Sequence, residues 1–241
     1  MTERPTASNP KGPVQPAPLV TAVVESAGGG FGVTLNGTRV PTVAKQVLAV
    51  PTRALAQALA DELSRHGRSA PMFALVSSCL DQIPPLRADI VTDVLSFLET
   101  DLLFYRAAEP ADLVALQAER WDLFLTWLER LGLPRPRTTT GLAAQPQPPA
   151  LADGVRRRLD ALDDAEMLVA RLGTRVTGSA VLGLALALRA FEVAKVFDAA
   201  TADEAQQIRR YGPEAELTRR LATLQADLES LARFNALFHA A

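Results

Sequence analysis

Apolar and polar positions change period twice along this chain. From Leu19 the pattern is that of strands: LVTAVVES is β-branched, FGVTLNG alternates, and TRVPTV follows. Asn36-Gly37 between the alternating runs is a hairpin signal, because both positions of a type I′ turn need φ > 0. QVLAV predicts one more short strand. Pro51 and Thr52 then open a helix, in which Thr52 can cap free amides and Leu55, Leu59 and Leu63 form one stripe. Gly67 ends it.

PMFALVSSCLDQIPP is a mixed apolar piece whose state stays open, and Pro84-Pro85 punctuates the chain after it. Everything beyond reads as helix. Ile90, Val91, Val94, Leu95 and Leu98 mark the first, and Ala111 to Leu131, closed by Gly132, the next. Residues 132–150 hold five prolines and no sustained period, a long connection and hence a candidate functional feature. Helices resume with Val155 to Leu162; Asp163 and Asp164 can cap the one carrying Met167, Leu168 and Leu172. The apolar run Val176–Leu188 predicts a buried helix, centred on Val181–Leu188, and Gly178, Ser179 and Gly183 would let neighbouring backbones approach closely. A helix beginning near Asp203 ends at Gly212-Pro213, and Leu217, Leu221, Leu224, Leu228 and Leu231 form the stripe of the last one.

The fold class expected is therefore α+β. Residues 1–17, rich in Pro, Ser, Thr and Asn, form a disordered tail. An N-terminal domain of hairpin, sheet and helix spans 18–85, and a mostly helical domain spans 86–241, with 132–150 as a Pro-rich connection.

Composition narrows the function by exclusion. The 241 residues carry a net charge of −2, which leaves no basic excess for nucleic acid as main partner. The run 176–188 is too short and too polar for a membrane span, which needs about 20 residues. The N-terminus lacks a signal-peptide core, so the expected location is the bacterial cytoplasm, or the mitochondrial matrix in a eukaryote. Cys79, the single cysteine, sits in an apolar run and reads as a core residue.

No catalytic constellation is present. Two histidines leave no triad, no His-pair metal site and no evident general base. The carboxylate pairs Asp163-Asp164 and Asp203-Glu204 have helix-cap explanations, and Gly28 to Gly30 precede a strand rather than a helix, unlike a phosphate loop. Arg156-Arg157-Arg158 is a solvated helix end. No enzyme activity, cofactor or metal is expected.

One stretch is more specific: ETDLLFYRAAEPADLVALQAERWDLFLTW, with Thr100, Asp101, Leu102, Leu103, Tyr105 and Arg106, then Gln117, Trp121 and Asp122. It resembles the assembly chaperones of mitochondrial and alphaproteobacterial ATP synthase that hold the free α subunit of the catalytic head. Upstream, Gly30, Phe31, Val33, Leu35, Gly37, Val40, Thr42, Ala44 and Lys45 follow the family's hairpin, with Asn36, Thr38 and Val43 as departures. Leu63, Gln206 and Tyr211 stand where the family carries tryptophan.

The resemblance implies a non-catalytic chaperone that binds the free α subunit and prevents its aggregation, as a monomer without membrane insertion. It implies partner-binding positions at Leu63 and Tyr211, and at an acidic site whose nearest candidates are Glu214 and Glu216. Both acids also suit the first turn of a helix. For Asp101, Tyr105, Arg106, Gln117, Trp121 and Asp122 the expected role is a buried polar brace, Asp101 and Arg106 satisfied by hydrogen bonds or by each other, pinning the helical domain against the N-terminal one. The alternative is a self-associating helical scaffold that uses the Leu217–Leu231 stripe as its interface.

Overall fold

A computed structural model describes residues 22–27 and 29–240. Three antiparallel strands, β1 (Ala22–Ala27), β2 (Gly30–Leu35) and β3 (Thr38–Arg39), lie in the order β1-β2-β3. Asn36 and Gly37 both take positive φ, as the hairpin turn requires. The tail expected over 1–17 and the strand onset at residues 19–21 lie outside the described residues, as does Gly28.

QVLAV is not a strand. Val50 exchanges both backbone hydrogen bonds with Phe31, at 2.8 and 2.9 Å, and Pro41 bridges Val47, but no ladder develops. Pro51 follows directly and the chain turns into α1 (Arg53–His66), capped by Thr52, whose Oγ1 accepts the Leu55 N–H at 3.1 Å. Helix α1 packs its Leu55, Leu59 and Leu63 stripe against the sheet and into the core.

Pro84-Pro85 does not break the chain. Helix α2 (Pro71–Ser96) passes through both prolines, so the division expected at residue 85 falls inside a helix. Both prolines lie on the exposed face, where water can take the carbonyls that lose their intrahelical donors. Met72, Phe73, Val76, Cys79 and Ile83, at helical spacing on the other face, are buried. Burial also pushes the Cys79 thiol up to about 12.

Short 3-10 turns at Phe97–Glu99 and Leu102–Phe104 lead to α3 (Ala111–Arg130). The 132–150 segment crosses to α4 (Pro149–Asp160), and α5 (Asp164–Thr177) opens with a complete capping box between Asp163 and Glu166. Arg158, within the expected solvated end, reaches the Leu131 carbonyl.

The apolar run 176–188 is two elements rather than one helix. Gly178, at φ 71°, ends α5, and Ser179 caps α6 (Ala180–Ala187), all eight residues of which are buried. Here the expected close approach is real: a Cβ added at Gly183 would lie 2.3 Å from Thr174 Oγ1 and 2.6 Å from the Ala170 carbonyl. Helices α7 (Val193–Ala200), α8 (Ala202–Tyr211) and α9 (Ala215–Phe238) complete the chain.

The described residues share one apolar core from Val33 to Phe234. Helix α9 closes it: Thr52 Oγ1 donates to the Leu237 carbonyl at 2.6 Å, and Arg233 pairs with Glu62 at 2.6 Å. Among the described residues, no helix is long and apolar enough to cross a membrane.

Candidate functional site

The family-motif residues separate into two groups. Asp101 stands alone, fully buried at the N-terminus of α6. One carboxylate oxygen accepts the Leu103 N–H at 3.0 Å and the other the Val181 N–H at 3.2 Å, with Ser179 donating as well. Burial pushes this carboxyl up to about 6, against the pull of those donors. Asp101 does not meet Arg106, and it fastens two pieces of the helical region rather than that region to the sheet.

The second group is built around Arg106. Its guanidinium pairs with Asp122 at 2.7 Å, donates to the Gln117 carbonyl at 3.3 Å and to the Leu103 carbonyl at 3.2 Å, and lies 5.2 Å from the Trp121 ring centre. Burial lowers its pKa and the Asp122 carboxylate opposes that shift. Gln117 reaches both ways, accepting the Ala107 N–H and donating to Asp203 Oδ1, each at 2.7 Å. Trp121 Nε1 donates to the Ala199 carbonyl at 2.8 Å. Tyr105 bridges to Thr139. What these side chains hold is the junction of α7 and α8, not the N-terminal sheet and helix.

Helix α8 is tied to the start of α3 in the same way. Gln206 Nε2 donates to Asp112 at 2.5 Å, which holds that carboxyl below its usual range, and Arg209 pairs with the same carboxylate at 3.1 Å. With α8 fixed, an open cleft remains between the end of α5, the start of α8 and the first half of α9. It comprises adjoining hollows of about 300 and 540 Å³ that share Val176, Arg220 and Leu224. Leu102, Trp121, Leu221 and Leu224 supply apolar lining, and Val176 is 36% exposed. On the rim, Arg220 pairs with Glu204 at 2.7 Å and Arg219 pairs with Glu216.

The predicted partner-binding residues fare unequally. Glu216 lines the outer hollow, and Glu214 caps α9 beside it, exposed. Tyr211 ends α8 at 77% exposure, with Arg210 stacked 5.7 Å from its ring centre. Leu63 is 0% exposed, a core residue of α1 that no partner can touch without unfolding, so its placement as a contact is corrected. Gln206 is buried too, as part of the α3–α8 tie. Val176, Leu221 and Leu224 were not singled out as client contacts, since a half-buried leucine stripe carries the same signature as core.

A knot of helix ends lies elsewhere. His239 Nε2 is 2.7 Å from Asp163, and Arg189 sits 3.3 Å from Glu166 and 3.1 Å from the His239 ring. Asp163, Glu166 and His239 hold their ligand-type atoms within 4.8 Å of one another, but the Arg189 guanidinium already meets their charge. Burial works to raise the Asp163 carboxyl, yet the Glu166 amide and His239 outweigh it and hold it low.

The helical scaffold thus leaves an open, partly apolar cleft with two ion pairs on its rim. Residues 20–129 match the family model of the ATP12 chaperone protein. The fold is similar to the crystal structure of Atp12 from Paracoccus denitrificans, at TM-score 0.83 and 28% identity over 91% of this chain and 96% of that one. It is likewise similar to a candidate chaperone from Agrobacterium tumefaciens, at TM-score 0.81 and 29% identity over 89% of this chain and 82% of that one. Over residues 20–129 the chain is thus similar to the ATP12 chaperone family, and its fold is similar to that of the Atp12 structure.

Proposed function

We propose that this protein binds the free α subunit of the ATP synthase catalytic head during assembly, without catalysis or cofactor, and keeps it from aggregating. The observation that carries the reading is the cleft between α5, α8 and α9, where Val176, Leu221 and Leu224 leave apolar surface open. An unassembled subunit exposes apolar patches that its neighbours later cover, and such patches aggregate. A protein that covers them lowers the free concentration of the sticky species by mass action and yields when the proper neighbour arrives. On the rim Arg219 pairs with Glu216 and Arg220 with Glu204, so those four charges are matched before a client segment enters.

Self-association through the Leu217–Leu231 stripe fits less well. Leu228 and Leu231 are buried in the protein's own core, which leaves the stripe too short for a helix pair. We take the working unit to be the monomer.

The test is light scattering of purified α subunit without nucleotide. An equimolar amount of this protein is expected to suppress aggregation, and Leu224→Asp to abolish the suppression. An unchanged aggregation rate with the wild-type protein overturns the proposal.

A further inference from the structure

Where α5 begins, its capping box meets the end of α9. Asp163 Oδ1 accepts the Glu166 N–H at 2.8 Å, and Glu166 Oε2 accepts the Asp163 N–H at 3.3 Å. That reciprocal pair fixes both side chains and leaves one oxygen of each carboxylate, Asp163 Oδ2 and Glu166 Oε1, uncommitted to the backbone. His239, 76 residues further along the chain, brings Nε2 to 2.7 Å from Asp163 Oδ2. One nitrogen and two carboxylate oxygens thus converge within 4.8 Å of one another.

The ring is oriented as a ligand is. Its Nδ1 lies 2.7 Å from the Asn235 carbonyl and 3.1 Å from Arg189 Nη1. The nearer group is an acceptor, so Nδ1 donates to it and Nε2 is the nitrogen left to bear the lone pair. An imidazole whose second N–H is held by a backbone carbonyl is the arrangement that orients metal-bound histidines. Nε2 and the Asp163 oxygen are then both acceptors, and at 2.7 Å they need a cation between them. A proton can serve. So can a metal ion, around which tetrahedral ligands stand about 3.3 Å apart.

Arg189 meets the cluster from the α6–α7 connection. Its Nη2 lies 3.3 Å from Glu166 Oε1, and its Nη1 donates to Asn235 Oδ1 at 2.9 Å. The Arg189 side chain is 44% exposed, so it can release Glu166 to an incoming cation and keep Asn235.

We propose that Asp163, Glu166 and His239 form a binding site for a divalent transition-metal ion of the zinc type, which clips the end of α9 to the start of α5. One imidazole nitrogen with two carboxylate oxygens, completed by water, suits zinc. Magnesium and calcium prefer six or more oxygens. The ion is structural, and the proposal stands apart from the chaperone reading.

The experiment titrates the full chain, dialysed against chelator, with zinc chloride alone and no client. At about a hundredfold excess of zinc over its Kd, the melting temperature is expected to rise by about 5–10 °C. Cobalt(II) is expected to give the visible absorption of a tetrahedral site. His239→Ala should abolish both signals. Asp163→Asn keeps a capping side chain but gives up the charge, and should weaken zinc by at least about tenfold. His66→Ala, at the other histidine, should leave both signals intact, and Arg189→Gln should tighten zinc by removing the competing charge. The proposal is overturned if zinc leaves the melting temperature unchanged, or if magnesium raises it equally. It is overturned too if the shift or the cobalt band survives in His239→Ala, or if Asp163→Asn binds zinc as wild type does. Because no client is present, either reading can fail without the other.

Discussion

Helix α9 is one continuous element with two kinds of environment. Its second half, through Leu228, Leu231, Phe234 and Asn235, is sealed into the core and tied to α1 by the Thr52–Leu237 and Glu62–Arg233 contacts. Its first half carries the same stripe onward through Leu221 and Leu224, but there the stripe flanks an open cleft and its ion pairs face water. Same residue types, same spacing and same helix give buried core at one end and the wall of an open cleft at the other. What differs is what packs opposite: the second half meets α1 through the Thr52–Leu237 and Glu62–Arg233 contacts, whereas beside the first half α8 is tied to α3.

The contrast can be broken from the buried end first. Phe234→Ala removes a fully buried ring and is expected to cost about 3–5 kcal/mol, read as a fall in the urea midpoint; a cost below 1 kcal/mol would show that the second half is not core. Next comes the fastening that holds α6 under α9. Asp101→Ala leaves the Leu103 and Val181 amides without their acceptor and is expected to cost about 1–3 kcal/mol, with client binding retained by the surviving fold.

Asp101 also makes a pH prediction. Its folded carboxyl lies near 6 against an ordinary 3.8, so the folded state binds the proton more tightly. The stability this contributes is fully present below about pH 4 and lost as pH rises through 6, a span on the order of 3 kcal/mol. Denaturant titrations at pH 4.5 and 7.5 should therefore show wild type losing stability relative to Asp101→Asn as pH rises. Parallel curves would refute it. Smallest in stability is Leu224→Asp on the open half, at most about 1 kcal/mol, yet it is expected to remove the suppression of α-subunit aggregation. Equal stability losses for Leu224→Asp and Phe234→Ala would erase the distinction between the two halves.

Much of the architecture was legible in the residues. The hairpin at Asn36-Gly37, the Thr52 cap, the Asp163 cap and the close packing at Gly183 each follow from local chemistry, and each is present. The misreadings share a cause. Pro84-Pro85 looked like a break because proline forfeits two helical hydrogen bonds, and it is tolerated only because that face of α2 meets water. Leu63 looked like a contact because the family places tryptophan there, but its stripe faces inward.

The stretch 100–127 carries the family resemblance, and its polar residues hold α8 in position. The residues proposed to face a client carry no comparable mark. Val176, Leu221 and Leu224 are ordinary aliphatics at helical spacing, indistinguishable in sequence from Leu228 and Leu231.

Local signals, namely periodicity, caps, turn residues and the motif of 100–127, were determined by the sequence itself, because each depends on neighbours a few positions away. Which apolar face stays open was decided only in three dimensions. Burial is a property of what packs opposite, and the partners opposite α9 come from α1, α2, α5 and α7, up to 185 residues distant in the chain.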